Sequence, residues 1–151
     1  VAFSPKDGGK GFIGIEVKYH ENLIGFQSPH RERYDQISDQ MGCFKESARA
    51  SLKAQPLQQI WRDHMLAGIH KIVNGFDEGF FVFLYRERNN HCEDAVKRYK
   101  DCLLNTDTFA SWTLEQVAGA VKRCTEEGWI GLFIDRYLNF EKITAGGHKE
   151  I

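Results

Sequence analysis

The sequence lacks most of the features that would announce a class of protein at once. It has four cysteines, Cys43, Cys92, Cys102 and Cys124, and no two of them form a Cys-x-x-Cys pair. That spacing argues against a zinc ribbon or a small disulfide scaffold and points to reduced thiols in a cytoplasmic protein. No apolar run approaches the roughly 20 residues a membrane helix needs, so no membrane partner is expected. The start shows no leader pattern, and Val1 falls directly in strand-like sequence, so a preceding segment is expected in the full protein. Neither sign of charge dominates: 20 Lys and Arg against 21 Asp and Glu leave −1. Bulk charge therefore does not advertise a nucleic-acid partner, although cations along one groove would suffice for one. Repeats, low-complexity segments and linkers are absent as well. At 151 residues, 42% hydrophobic and 27% charged, the chain fits one globular domain, residues 1–151.

What stands out instead is Gly11-Phe12-Ile13-Gly14-Ile15-Glu16-Val17-Lys18-Tyr19-His20. Its β-branched and aromatic content predicts a strand. Alternation then puts Ile13, Ile15, Val17 and Tyr19 on one face, expected to be buried, and Phe12, Gly14, Glu16 and Lys18 on the other. A carboxylate and an ammonium, about 6.6 Å apart along the strand, share one face beside the open space that Gly14 leaves.

The remaining elements follow from turn and helix signals. Residues 1–4 read as a short strand, and Pro5 to Lys10 as a tight turn with Asp7-Gly8-Gly9, returning antiparallel into residues 11–20. Residues 21–29 are irregular. Residues 30–43 predict a polar helix with Tyr34, Ile37 and Met41 on one stripe, ended by Gly42; 44–55 is ambiguous. From Pro56, Leu57, Ile60, Trp61, Met65, Leu66, Ile69, Ile72 and Val73 recur at helical spacing up to Asn74-Gly75. Phe80 to Tyr85 reads as a strand buried on both faces. Asn90 is expected to cap a helix over 91–104, and 108–112 to form an edge strand. Thr113 and Gln116 match a capping box opening a helix that Gly128 ends. A last helix is expected over 129–142, then a frayed tail over 144–151. The sum is an α/β fold: a small mixed sheet, built from the N-terminal hairpin and a buried central strand and flanked by helices, in which a helical connection permits a parallel crossover.

A carboxylate beside an ammonium suits phosphodiester hydrolysis, which needs a divalent metal to neutralise phosphate and activate water. Mg²⁺ or Mn²⁺ prefers hard oxygen ligands. Glu16 offers a carboxylate and Val17 its backbone carbonyl, while Lys18 can orient water or steady negative charge. One carboxylate alone holds such a metal poorly, so a second acid is required. A hairpin whose second strand ends Gly-Ile-Glu-Val-Lys-Tyr, followed by helices and a buried strand, resembles the PD-(D/E)XK nuclease superfamily. Glu16, Val17 and Lys18 carry the match. Gln59-Ile60-Trp61-Arg62 and Arg136-Tyr137-Leu138 are similar to runs in bacterial members. The resemblance implies a restriction-endonuclease-like core, Mg²⁺ or Mn²⁺ as cofactor and nucleic acid, DNA before RNA, as partner, with a homodimer as one assembly. It also implies catalytic roles for Glu16, Lys18 and Gln59, and substrate contacts for Arg62 and His20.

One departure stands beside it. The family's metal-binding Asp precedes the Glu-x-Lys strand, where this chain has Val1-Ala2-Phe3-Ser4 and no acid. Two placements stay open: Asp7, whose residue type the turn already explains, or an acid before Val1. Plainer readings compete as well. Glu16 and Lys18 could be a surface ion pair. Gln59 and Arg62, three apart on one helix face, could be a solvated face. His64 and His70 read as satisfied core or surface histidines, and His91-Cys92 has no second pair to make a metal site. A catalytically inactive binding or scaffold module, or a small-ligand protein using the groove beside Gly14, are the alternatives to an enzyme.

Overall fold

A computed structural model describes residues 1–25 and 27–139. The tail expected to fray, 144–151, and the end of the last expected helix, 140–142, lie outside the described residues. Four strands form one sheet in the order β1 (Ala2–Phe3), β2 (Gly11–Lys18), β3 (Glu78–Tyr85), β4 (Phe109–Thr113). The hairpin forms as the glycines require. Gly8 and Gly9 take φ of +90° and +100°, and the Gly8 amide donates to the Pro5 carbonyl at 3.1 Å. β1 pairs antiparallel with β2, and Val1 exchanges both main-chain bonds with Ile13. β3 lies parallel to β2 over eight pairs, from Gly11 opposite Glu78 to Lys18 opposite Tyr85. The crossover between them carries α1 (Glu32–Met41), a 3₁₀ turn with α2 (Arg49–Leu52) in the stretch that was ambiguous in sequence, and α3 (Leu57–Asn74).

Helix α3 is the wall of the core. Leu57, Ile60, Trp61, His64, Met65 and Ala67 are buried along it, and Gly75 at φ +63° ends it. The expected stripe was too wide: Leu66 and Val73 are 67% and 72% exposed, because the 3.6-residue period carries them round to the other side. The core joins this face to Phe12, Phe81 and Phe83 of the sheet and to Ala95, Val96 and Tyr99 of α4 (Asn90–Asp101). Tyr34, Ile37 and Met41 of α1 pack against it as their spacing predicts. The buried strand is where the sequence put it, with Phe81, Val82, Phe83 and Leu84 all buried. Asn89, rather than Asn90, caps α4: its side chain accepts the Cys92 amide at 3.1 Å.

The face assignment of β2 is reversed. Ile15 and Val17 are each 47% exposed, while Phe12 is buried in the core. The helical layer therefore covers the face that carries Phe12, Gly14, Glu16 and Lys18, and a Cβ at Gly14 would lie 3.6 Å from Ala67 of α3.

The chain divides into two compact units, Val1–Trp112 and Thr113–Ile151. In the second, α5 (Leu114–Cys124) opens with the expected capping box. The Gln116 amide donates to Thr113 Oγ1 at 3.1 Å and the Thr113 amide to Gln116 Oε1 at 2.9 Å. α6 (Trp129–Phe133) runs into a π-turn over Ile134–Leu138, in which the Arg136 guanidinium lies 5.3 Å over the Tyr137 ring. Among the described residues no helix is long and apolar enough to cross a membrane.

Candidate active site

Strand β2 presents Glu16 and Lys18 on one face because they are two residues apart, and the structure closes them into an ion pair, Lys18 Nζ to Glu16 Oε1 at 2.7 Å. Gln59, on the first turn of α3, donates its side-chain amide to the same oxygen at 3.3 Å. Glu16 Oε1 thus has two donors, and no partner for Oε2 occurs among the described residues. The main chain of Val17 is placed by the ladder. The Lys18 carbonyl accepts from Arg86 on the β3 side, and Ile13 bonds Val1 on the β1 side. Alternation then turns the Val17 carbonyl toward the β1 side, beyond the last pair that β1 makes.

Sequence reasoning missed Asp63. It lies four residues after Gln59 on α3, hence on the same helix face, and that i, i+4 spacing was the available signal. Asp63 and Glu16 line one hollow of about 420 Å³, floored by Gly14 and walled by Leu66, Ala67 and Phe81. Asp63 Oδ2 is sealed from solvent and has no hydrogen-bond partner. Burial pushes the Asp63 carboxyl up to about 6, with the Glu16 carboxylate adding to the rise and Lys18 and Arg62 opposing it. Two acidic side chains on one lining make an electronegative hollow.

A second hollow, about 460 Å³, adjoins the first through Asp63 and Leu66 and also takes in Gln59, Arg62 and Tyr34. Arg62 is aimed by Tyr34: its guanidinium lies 5.1 Å over the ring, and Nη2 donates to the phenol oxygen of that residue at 3.2 Å. The rim of this hollow is strapped down by buried Gln58, which accepts from the Ser28 amide at 3.0 Å and donates to the Ser28 carbonyl at 2.9 Å.

The structure brings together Glu16, Val17, Lys18 and Gln59, with Arg62 next door. It does not bring Asp7. That residue sits exposed in the hairpin turn, at the Gly11 end of β2. Glu16 is five residues further along, about 17 Å at strand rise. The other expected placement, before Val1, is not part of this sequence. His20 follows the end of β2, with its ring edge-on to Tyr19 at 4.3 Å and its amide on Glu21 Oε2 at 3.1 Å; it lines neither hollow. His64 is a core histidine, as read, held between Tyr99 and Thr108. Cys92 is fully buried, and among the described residues no group of three or more His, Cys, Asp or Glu could hold a metal.

A family model described as the PD-(D/E)XK nuclease superfamily matches residues 1–139. No curated protein and no solved structure matches the chain.

Proposed function

The chain belongs to the PD-(D/E)XK nuclease superfamily, and from that premise we propose that it is a metal-dependent nuclease hydrolysing phosphodiester bonds of DNA. The observation that carries the reading is the join between β2 and α3: Lys18 and Gln59 both bonded to one oxygen of Glu16, at 2.7 and 3.3 Å.

The family's divalent metal fits the residues present. Mg²⁺ keeps several waters and needs one or two carboxylates beside them. Glu16 has a carboxylate oxygen to spare, and the Val17 carbonyl is directed off the open part of β2. Asp63 lines the same hollow, and its solvent-sealed Oδ2 without a hydrogen-bond partner is an acceptor that a cation would satisfy. When bound, the ion supplies positive charge against the phosphodiester and lowers the pKa of water. The side chains do the rest. Gln59 fixes the orientation of Glu16 by donating to Oε1, which leaves Oε2 available to the ion. Lys18 holds its ammonium beside that carboxylate, where its remaining protons can orient an attacking water and steady charge that develops on phosphate oxygens. Arg62, stacked on Tyr34, offers a planar donor fork to a neighbouring phosphate.

The test is cleavage of plasmid DNA and of labelled DNA and RNA strands with Mg²⁺ or Mn²⁺. Glu16→Gln and Lys18→Met should each reduce the rate by about 10²-fold or more, the order seen when a charge-stabilising group is lost. Cleavage that persisted in both variants would remove the proposal, and RNA cut in preference to DNA would reassign the substrate. The competing reading is a non-catalytic binding module that keeps the fold. It draws support from the tight Lys18–Glu16 pair, which balances the two charges without a ligand. Nucleic-acid binding with no cleavage under any divalent ion would favour it.

A further inference from the structure

The proposed reading leaves the metal with one identified carboxylate, and the hairpin does not supply another. Asp7 is at the far end of β2, and the described part of β1 ends its pairing at Ile13. Both acids nevertheless line the hollow, and each keeps one carboxylate oxygen without a donor among the described residues: Glu16 Oε2 and the solvent-sealed Asp63 Oδ2. The nearby cations are already engaged, Lys18 with Glu16 and Arg62 with Tyr34. The same hollow that both acids line is large enough for an ion and several waters at about 30 Å³ each.

We propose that Asp63, carried by α3, is the second carboxylate ligand of the divalent metal, completing with Glu16 a site that ties helix α3 to strand β2. This rests on the nuclease reading above. It assigns a role that the Glu-x-Lys motif does not contain, and gives α3 two duties one turn apart: Gln59 orients the strand's acid, and Asp63 adds its own. The rival account of the orphaned oxygen is a proton on Asp63 and no ion. The two differ in what happens when the carboxylate is replaced by its neutral isostere.

The experiment is a titration with Mn²⁺ near pH 7.5, read by calorimetry and by the loss of the free-ion electron paramagnetic resonance signal. It compares the wild-type protein with Glu16→Gln, Asp63→Asn and Asp63→Ser. Circular dichroism establishes that each is folded, and two substitutions at Asp63 keep the result from hanging on one variant. The proposal expects both Asp63 variants to bind Mn²⁺ at least tenfold more weakly than wild type, as Glu16→Gln does. If Asp63→Asn and Asp63→Ser bind as wild type does while Glu16→Gln fails, the assignment of Asp63 is overturned and the nuclease reading stands. If the wild-type protein takes up no Mn²⁺, both fall.

Discussion

His64 is 1% exposed and lies between two hydroxyls, with Nδ1 2.9 Å from Tyr99 and Nε2 2.9 Å from Thr108 Oγ1. Each hydroxyl can donate or accept, so the neutral ring is satisfied with one nitrogen donating and the other accepting, and it is burial that disfavours the cation. Burial pushes its pKa down to about 4. The unfolded chain then binds a proton between about pH 6.5 and 4 that the folded protein refuses, so stability is full above pH 6.5 and drains as pH falls. The His64 share of the change between pH 7 and 4.5 should be a loss of about 2 kcal/mol. Asp63 works the other way: with its pKa raised to about 6, the folded protein holds a proton that the unfolded chain gives up. Its contribution is present below about pH 4 and is lost as pH rises through 6. Urea unfolding followed by tryptophan fluorescence at the two pH values checks this. His64→Gln should lose less stability on acidification than wild type, and Asp63→Asn should lose more. Of these two, the sequence leaves His64 open between a satisfied core and a surface histidine, and the structure selects the core; Asp63 goes unmarked. The perturbation of Asp63 depends on a strand 47 positions earlier in the chain, and nothing local encodes it.

At the scale of elements, β2 shows where the pattern misleads. Its Ile13, Ile15 and Val17 are the more apolar set, so hydrophobic alternation assigns them to the core. The helical layer instead lies over Phe12, Gly14, Glu16 and Lys18, because Phe12 joins Phe81 and Phe83 in the core and Gly14 lets Ala67 of α3 come close. Candidate functional positions are where local pattern and fold are expected to disagree. The strand itself, its pairing with β1, the buried β3 and the capping box of α5 were all legible, since each rests on short-range chemistry. Two glycines on this face now have different expected consequences. A Cβ at Gly79 would lie 2.6 Å from the Phe12 ring and 3.1 Å from Lys71 Cβ. The ring cannot retreat, being packed on His70 at 4.7 Å and Phe76 at 5.0 Å. Gly79→Ala should therefore destabilise by about 1–3 kcal/mol, the usual range for overpacking. At Gly14 the nearest atoms are 3.6–3.9 Å away, which is ordinary contact, so Gly14→Ala should stay within about 1 kcal/mol of wild type or gain from the reduced freedom of the unfolded chain. Urea midpoints at unchanged m-value distinguish the two. Equal losses at both positions would contradict the packing described.

For the molecule as a whole, the charge balance constrains how a polyanion can be held. With 20 basic and 21 acidic residues, long-range attraction to a polyanion is weak, so on the nuclease proposal the affinity for DNA would come from the cations at the two hollows. Of these, Lys18 is already paired with Glu16, and Arg62 is fixed on Tyr34. Each phosphate neutralised adds about −0.9 to the slope of log K against log salt on duplex DNA. A site with roughly two to four phosphate contacts predicts a slope of about −2 to −4. Filter binding of the Glu16→Gln variant to a DNA duplex between 50 and 200 mM salt measures it without cleavage. Arg62→Ala should then lower affinity and flatten the slope by about one unit, since it removes one contact. A slope much steeper than −4 would require an extended cationic face elsewhere on the protein. A slope unchanged by Arg62→Ala would mean that the second hollow does not meet the backbone, and that the substrate approaches the Glu16–Lys18 pair from another side.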